Sequence, residues 1–168
     1  MSTPFSFEYV FRVPSVATLA SAYFDPDHLA TQDKVAQLTE RVIVEDHETD
    51  AARKTTWRVK SLRQLPAIAR PFVSGGRLSF LEMMSWNKAT NAIEMSVTPE
   101  ILGGRVSITG SYDLTLVGDG QVRRIYKGAI EAKITLVGGK IERGILESFS
   151  EGMPAMAGCT QGWLDRAK

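Results

Sequence analysis

The sequence predicts an α+β domain in which an antiparallel sheet of about six or seven strands curves around one long C-terminal helix, with two short helices after the first strand. Three observations predict it. Runs of alternating polarity fill residues 36–136 and are separated by Gly-, Asn- and Asp-containing turns. Two helix-start signals, Pro14-Ser15 and Asp25-Pro26, follow the first apolar run. A stripe of Ile141, Ile145, Phe149, Met153 and Met156, at spacings of four and three, follows Gly138-Gly139.

The first strand runs from about Phe5 to Val13 on its aromatic and β-branched content, although Phe5, Glu8, Val10 and Phe11 alternate imperfectly. Pro14 stops it. Ser15 then caps a helix through Tyr23, its hydroxyl accepting an otherwise orphaned backbone N–H, and Val16, Leu19, Ala20 and Tyr23 recur at helical spacing. Asp25 and Pro26 start a second short helix over Asp27 to Thr31 or somewhat further.

From Ala36 the period becomes two, with Leu38, Glu40, Val42 and Val44 alternating with Thr39, Arg41, Ile43 and Glu45. A turn over Asp46–Ala52 leads into a strand over Lys54–Leu65. Pro66 and Pro71 mark the segment to Phe72 as a connection, and Ser74-Gly75-Gly76 turns the chain into a strand over Arg77–Trp86. Asn87–Thr90 is a turn, and Ala92–Val97 a strand ended by Pro99. After Gly103-Gly104, the runs Arg105–Val117 and Val122–Leu136 form a hairpin about Gly118-Asp119-Gly120. In the last helix Glu142, Arg143, Glu147 and Glu151 fall off the apolar stripe, and Pro154, which has no N–H to donate, predicts a kink or break. No repeat, low-complexity tract or linker interrupts residues 1–168, so a single domain is expected.

Composition bounds the function. The chain has 43% hydrophobic and 23% charged residues and a formal charge of +1, so no general field draws it to nucleic acid or an acidic membrane. One cysteine, Cys159, and two histidines, His28 and His47, cannot form an intramolecular disulfide or a closed Cys/His zinc site. The acidic run Glu45–Asp50 lacks the glycine and spacing of a calcium loop, and no Gly-Lys-Ser/Thr follows any glycine pair. No cofactor is therefore expected. The N-terminus lacks the basic start and apolar run of a secretory signal, and no stretch reaches the roughly 18 apolar residues of a membrane span, so a cytoplasmic location is expected.

Geometry turns this architecture into a site. A helix about 10 Å across is too slim to fill the whole inner side of a long curved sheet, and Gly103, Gly104, Gly110 and Gly128 stand where the sheet can bend. The order of elements resembles the START-like superfamily (SRPBCC-type proteins), which includes lipid-transfer domains, polyketide cyclases and the birch-pollen-allergen group. The carriers are the strand followed by the Pro14-Ser15 helix, Asp25-Pro26-Asp27-His28, and the closing helix after Gly138-Gly139. The stretch Trp57–Trp86, with Leu65-Pro66 and Phe80-Leu81-Glu82, is similar to an uncharacterised actinobacterial-type branch. The resemblance spans Phe5 to about Trp163 and implies a helix-grip fold with a cavity for a lipid-like, polyketide-like or other bulky apolar molecule.

The candidate ligand-binding residues are Trp57, Phe80, Glu82, Met84, Trp86, Met95, Tyr112, Tyr126, Phe149 and Met153. Aromatic side chains supply contact area, methionines adapt to varied shapes, and an inward Glu82 would serve as a polar anchor with a raised pKa, although a rim or paired glutamate is the favoured reading. No catalytic or metal-binding residue is assigned. Arg124 is expected on a solvated sheet face, although an inward arginine would suit a ligand carboxylate. His28 is expected exposed near the cavity mouth, His47 in a turn, and Cys159 as a structural thiol.

Three functions compete. Non-catalytic binding of a small hydrophobic or amphipathic ligand leads, in transport or sensing. A cyclase or aromatase acting on a polyketide-like substrate would need at least two of Glu82, His28, Tyr112 and Arg124 to converge inside the pocket. A protein-interaction module or homodimer would instead show a continuous exposed apolar patch.

Overall fold

The computed structural model describes residues 1–63, 67, 70–72, 77–100 and 102–167. The chain runs β1 (Ser2–Arg12), α1 (Val16–Ala22), α2 (Pro26–Ala36), β2 (Leu38–Glu48), β3 (Ala52–Ser61), β4 (Ser79–Asn87), β5 (Ile93–Pro99), β6 (Val106–Gly118), β7 (Gln121–Ala132) and α3 (Gly138–Arg166). Short 3₁₀ turns occupy Arg70–Phe72 and Leu102–Gly104. The seven strands form one antiparallel sheet in the order β1-β7-β6-β5-β4-β3-β2, so the first strand pairs with the last. This is the expected helix-grip arrangement.

The helix caps form as their chemistry requires. The Ser15 hydroxyl accepts from the Thr18 N–H, and the Asp25 carboxylate accepts from Asp27 and His28 with Pro26 in the first turn. The second helix extends to Ala36 and ends on Gln37, which takes a left-handed conformation.

Several boundaries differ from expectation. β1 alternates strictly, with Phe5, Phe7, Tyr9 and Phe11 inward and Val10 exposed on the outer face. β2 continues to Glu48, placing His47 in an exposed edge strand rather than in the turn. β3 stops at Ser61, and β7 stops at Ala132 instead of Leu136. The chain must turn tightly after Ala132, because a Cβ on Gly138 would lie 2.3 Å from the Ala132 carbonyl oxygen. The glycine turn at Ser74-Gly75-Gly76 and the Leu65-Pro66 motif lie outside the described residues.

α3 passes Pro154 without an interruption. Pro154 and Ser150 both face solvent, so the Ser150 carbonyl that loses its intrahelical donor lies where water can reach it. Glu142 also departs from the amphipathic pattern. It is buried, accepting from the Thr3 hydroxyl at 2.7 Å and the Ala132 N–H at 2.9 Å. Burial opposes its ionisation, yet these two donors hold its carboxyl below the usual range. The start of α3 is thereby clamped to β1 and the end of β7.

All three helices lie on the inner face. α3 packs along β1 and β7 and against α2. Under α1 and the α1–α2 junction, Leu19, Tyr23 and Phe24 join Phe11, Trp57, Val59, Trp86 and Val122 in the main core. A second cluster beneath α3 gathers Phe5, Ile108, Tyr126 and Ile130 with half-buried Met95, Val97, Phe149 and Met153.

Candidate functional site

Strand register decides which side chains meet. Trp57 pairs with Glu82, Glu82 with Val97, Val97 with Ile108 and Ile108 with Ile130, forming one row across the inner face. The next row runs Met84, Met95, Gly110, Gly128 and Phe5, and the next Trp86, Ile93, Tyr112, Tyr126 and Phe7. Phe80, opposite Val59, belongs to the same face. All eight strand residues predicted for the site therefore share the inner side, with Phe149 and Met153 of α3 packed over it.

They divide into two environments. Trp57, Phe80, Met84 and Trp86 are buried. The Phe24 ring stacks on Trp86 at 5.8 Å and lies 6.3 Å from Trp57, and the Trp86 indole N–H donates to the Asn91 side-chain carbonyl at 3.2 Å. This half of the inner face is plugged by the α1–α2 junction. Beneath α3 the packing is looser. Met95 and Val97 on the central strand β5, together with Leu146, Phe149 and Met153 on α3, remain half-buried. Val97 and Leu146 were missed in the sequence; Val97 shares the Met95 phase, and Leu146 follows Ile145 of the stripe.

Polar groups edge this apolar zone. Tyr112 and Tyr126 pack edge to face at 4.9 Å, and Tyr126 meets Phe5 at 4.8 Å. Burial raises both phenol pKa values, and the charge of Glu82 adds to the effect, so both rings stay protonated donors. No group among the described residues hydrogen-bonds either hydroxyl.

Glu82 faces inward, where it accepts from Arg41 Nη2 at 3.1 Å. Arg41 Nε and Nη2 also grip the two oxygens of Asp33, each at 2.8 Å, and the guanidinium lies 5.4 Å from the Trp57 ring centre. These carboxylates raise the Arg41 pKa against the opposing effect of burial. Arg41 was not anticipated, because a bulge between Thr39 and Val42, with Glu40 at φ 50, re-aims it inward.

Two expectations are overturned. His28 is 0% exposed, with Nε2 3.0 Å from the Thr160 hydroxyl and its ring edge-on to Tyr23 and Trp163. α3 covers the site that was expected to be open, and burial pushes the imidazole pKa down to about 4. Arg124 is 2% exposed on the inner face, not solvated. Its Nη1 donates to the Tyr23 hydroxyl at 2.7 Å, and its guanidinium lies 5.1–5.7 Å from the ring centres of Tyr9, Phe11, Tyr23 and Tyr112.

Solved structures share this fold. The Zhui aromatase/cyclase from Streptomyces sp. R1128 matches with a TM-score of 0.68 at 9% identity, covering 99% of this chain and 95% of that one. A START superfamily protein from Mycobacterium smegmatis matches at 0.61 and 11% identity, covering 98% and 99%. Norcoclaurine synthase from Thalictrum flavum also matches at 0.61 and 11%, covering 98% and 87%. Comparison with curated protein sequences gives no match. The chain belongs to the family described as protein of unknown function DUF2505, whose profile spans residues 9–164. Among the described residues, no helix is long and apolar enough to cross a membrane.

Proposed function

We propose that this protein binds a small hydrophobic or amphipathic molecule between the inner face of the sheet and α3, as a carrier or sensor rather than as a catalyst. The observation that carries this reading is the half-burial of Met95 and Val97 on the central strand, opposite equally half-buried Phe149 and Met153. Protein interiors are close-packed, and inward apolar residues in mid-sheet are ordinarily covered on every side. Covering ~300 Å² of this surface with a ligand would contribute on the order of 7 kcal/mol before association entropy, which suits micromolar binding.

The polar groups favour holding over chemistry. Glu82 is engaged by Arg41 and is not a free base. His28 is sealed behind Tyr23 and Trp163. The Tyr112 and Tyr126 hydroxyls are available as donors to orient a guest. A cyclase or aromatase-like role draws support from the Zhui aromatase/cyclase likeness and from Tyr112 lying beside Arg124. The single cysteine suits a reducing, cytoplasmic setting.

Native mass spectrometry of gently purified protein, followed by organic extraction, tests the reading. A bound apolar species, or saturable fluorescence enhancement of N-phenyl-1-naphthylamine, is expected. Neither signal at micromolar protein would overturn it.

A further inference from the structure

We propose that the guest carries a carboxylate and that Arg124 is its anchor; this rests on the ligand-binding reading above. Arg124 is 2% exposed, and its side-chain hydrogen bond among the described residues is the single one from Nη1 to Tyr23. Its Nε is buried without a partner. Aromatic faces attract the charge but accept few of its five N–H donors, and a buried cation short of acceptors is costly.

The free edge has a defined shape. Nε and Nη2 form the side-on fork of an arginine, which matches the two oxygens of a carboxylate. Arg41 in this same chain uses that edge on Asp33, with both bonds at 2.8 Å. In Arg124 the Tyr23 bond occupies the opposite nitrogen and leaves the fork unpaired, with Nε covered by its surroundings, so a guest must displace part of that cover to reach it. One charge and one unpaired fork suit a monoanion.

A pocket of about 140 Å³ lies nearby, between the β4–β5 turn and β6, with Asn91, Tyr112, Asp113 and Leu114 among its walls; Arg124 itself stands behind Tyr112 and Leu114. Leu114 is the register partner of Arg124, and the Tyr112 ring centre lies 5.1 Å from the guanidinium carbon. Tyr112 also packs against Tyr126 in the looser cluster beneath α3, linking that apolar zone to the arginine.

The test is displacement of N-phenyl-1-naphthylamine by dodecanoate and by dodecan-1-ol, which differ in the head group. Wild-type protein should prefer dodecanoate by about tenfold or more. Arg124→Met should abolish that preference and leave dodecan-1-ol binding unchanged, whereas Tyr23→Phe, which keeps the ring, should retain it. If Arg124→Met does not fold, the wild-type preference should still fade as the acid protonates below about pH 5. Equal competition by acid and alcohol, or a preference surviving Arg124→Met or acidification, would overturn the proposal and spare the ligand-binding reading. Failure of the dye and both competitors to bind would remove both.

Discussion

Arg41 on β2 reaches across β3, over the Trp57 indole, and donates to Glu82 on β4 at 3.1 Å. The same guanidinium holds Asp33 of α2 through two bonds. One side chain thus ties an edge strand, an interior strand and a helix, all at largely buried positions.

Arg41→Met should leave two carboxylates facing each other without a cation, costing about 3 kcal/mol. Adding Asp33→Asn and Glu82→Gln should recover much of that loss, because no charge is then left unpaired. Urea denaturation measures both. A cost below about 1 kcal/mol for the single variant would mean that the cluster behaves like an exposed pair.

The neutral, buried His28 makes stability fall on acidification. Its folded-state pKa of about 4 lies below the ordinary 6.5, so between these values the unfolded chain binds the proton and the folded one does not. Stability should therefore decline by about 2 kcal/mol from pH 7 to pH 5 and level off below about pH 4 as far as this group is concerned. His28→Gln should remove that slope. An unchanged slope in the variant would assign the acid sensitivity to other groups.

Gly110 and Gly128 pair directly across β6 and β7, with the Phe5 ring against them. A Cβ on Gly128 would meet the Thr109 carbonyl oxygen at 2.0 Å and the Phe5 ring at 2.8 Å. Gly128→Ala should cost about 3 kcal/mol, since backbone rather than a flexible side chain blocks it. Gly152→Ala on α3 has no atom within 4 Å of the new Cβ and serves as the matched control. Thermal melts of the two variants should separate them clearly.

Filling the loose zone should block binding without unfolding the protein. Val97→Trp adds a large side chain where a half-buried one faces α3. Affinity for N-phenyl-1-naphthylamine should drop about tenfold or more while the melting temperature stays near that of the wild type. Full dye affinity in a folded Val97→Trp protein would place the dye elsewhere.

The fold was legible because its signals are local. Caps, turn residues and a change of period from 3.6 to 2 mark the elements in order, and register follows once the strands pair in sequence. Which strand phase faces inward was not legible from large residues on both sides. Arg124 illustrates the difficulty: it shares its phase with buried Val122, Tyr126 and Ile130, yet its charge argued for solvent. Only the aromatic enclosure supplied by distant β1, α1 and β6 makes its burial intelligible. Arg41 depends on a bulge with no glycine to announce it, and His28 on a cover supplied by α3 more than a hundred residues away. Long-range partners of this kind leave no periodic trace.

The pairing of β1 with β7 imposes an order on biosynthesis. The first strand, with Phe5, Phe7, Tyr9 and Phe11 on one side, emerges from the ribosome long before its partner at Gln121–Ala132 exists. Its apolar side must wait while the whole stretch between Arg12 and Gln121 is made, and such sequence-distant closure slows folding. The nascent chain should thus be a customer for holding chaperones until the final hairpin and helix arrive to seal it.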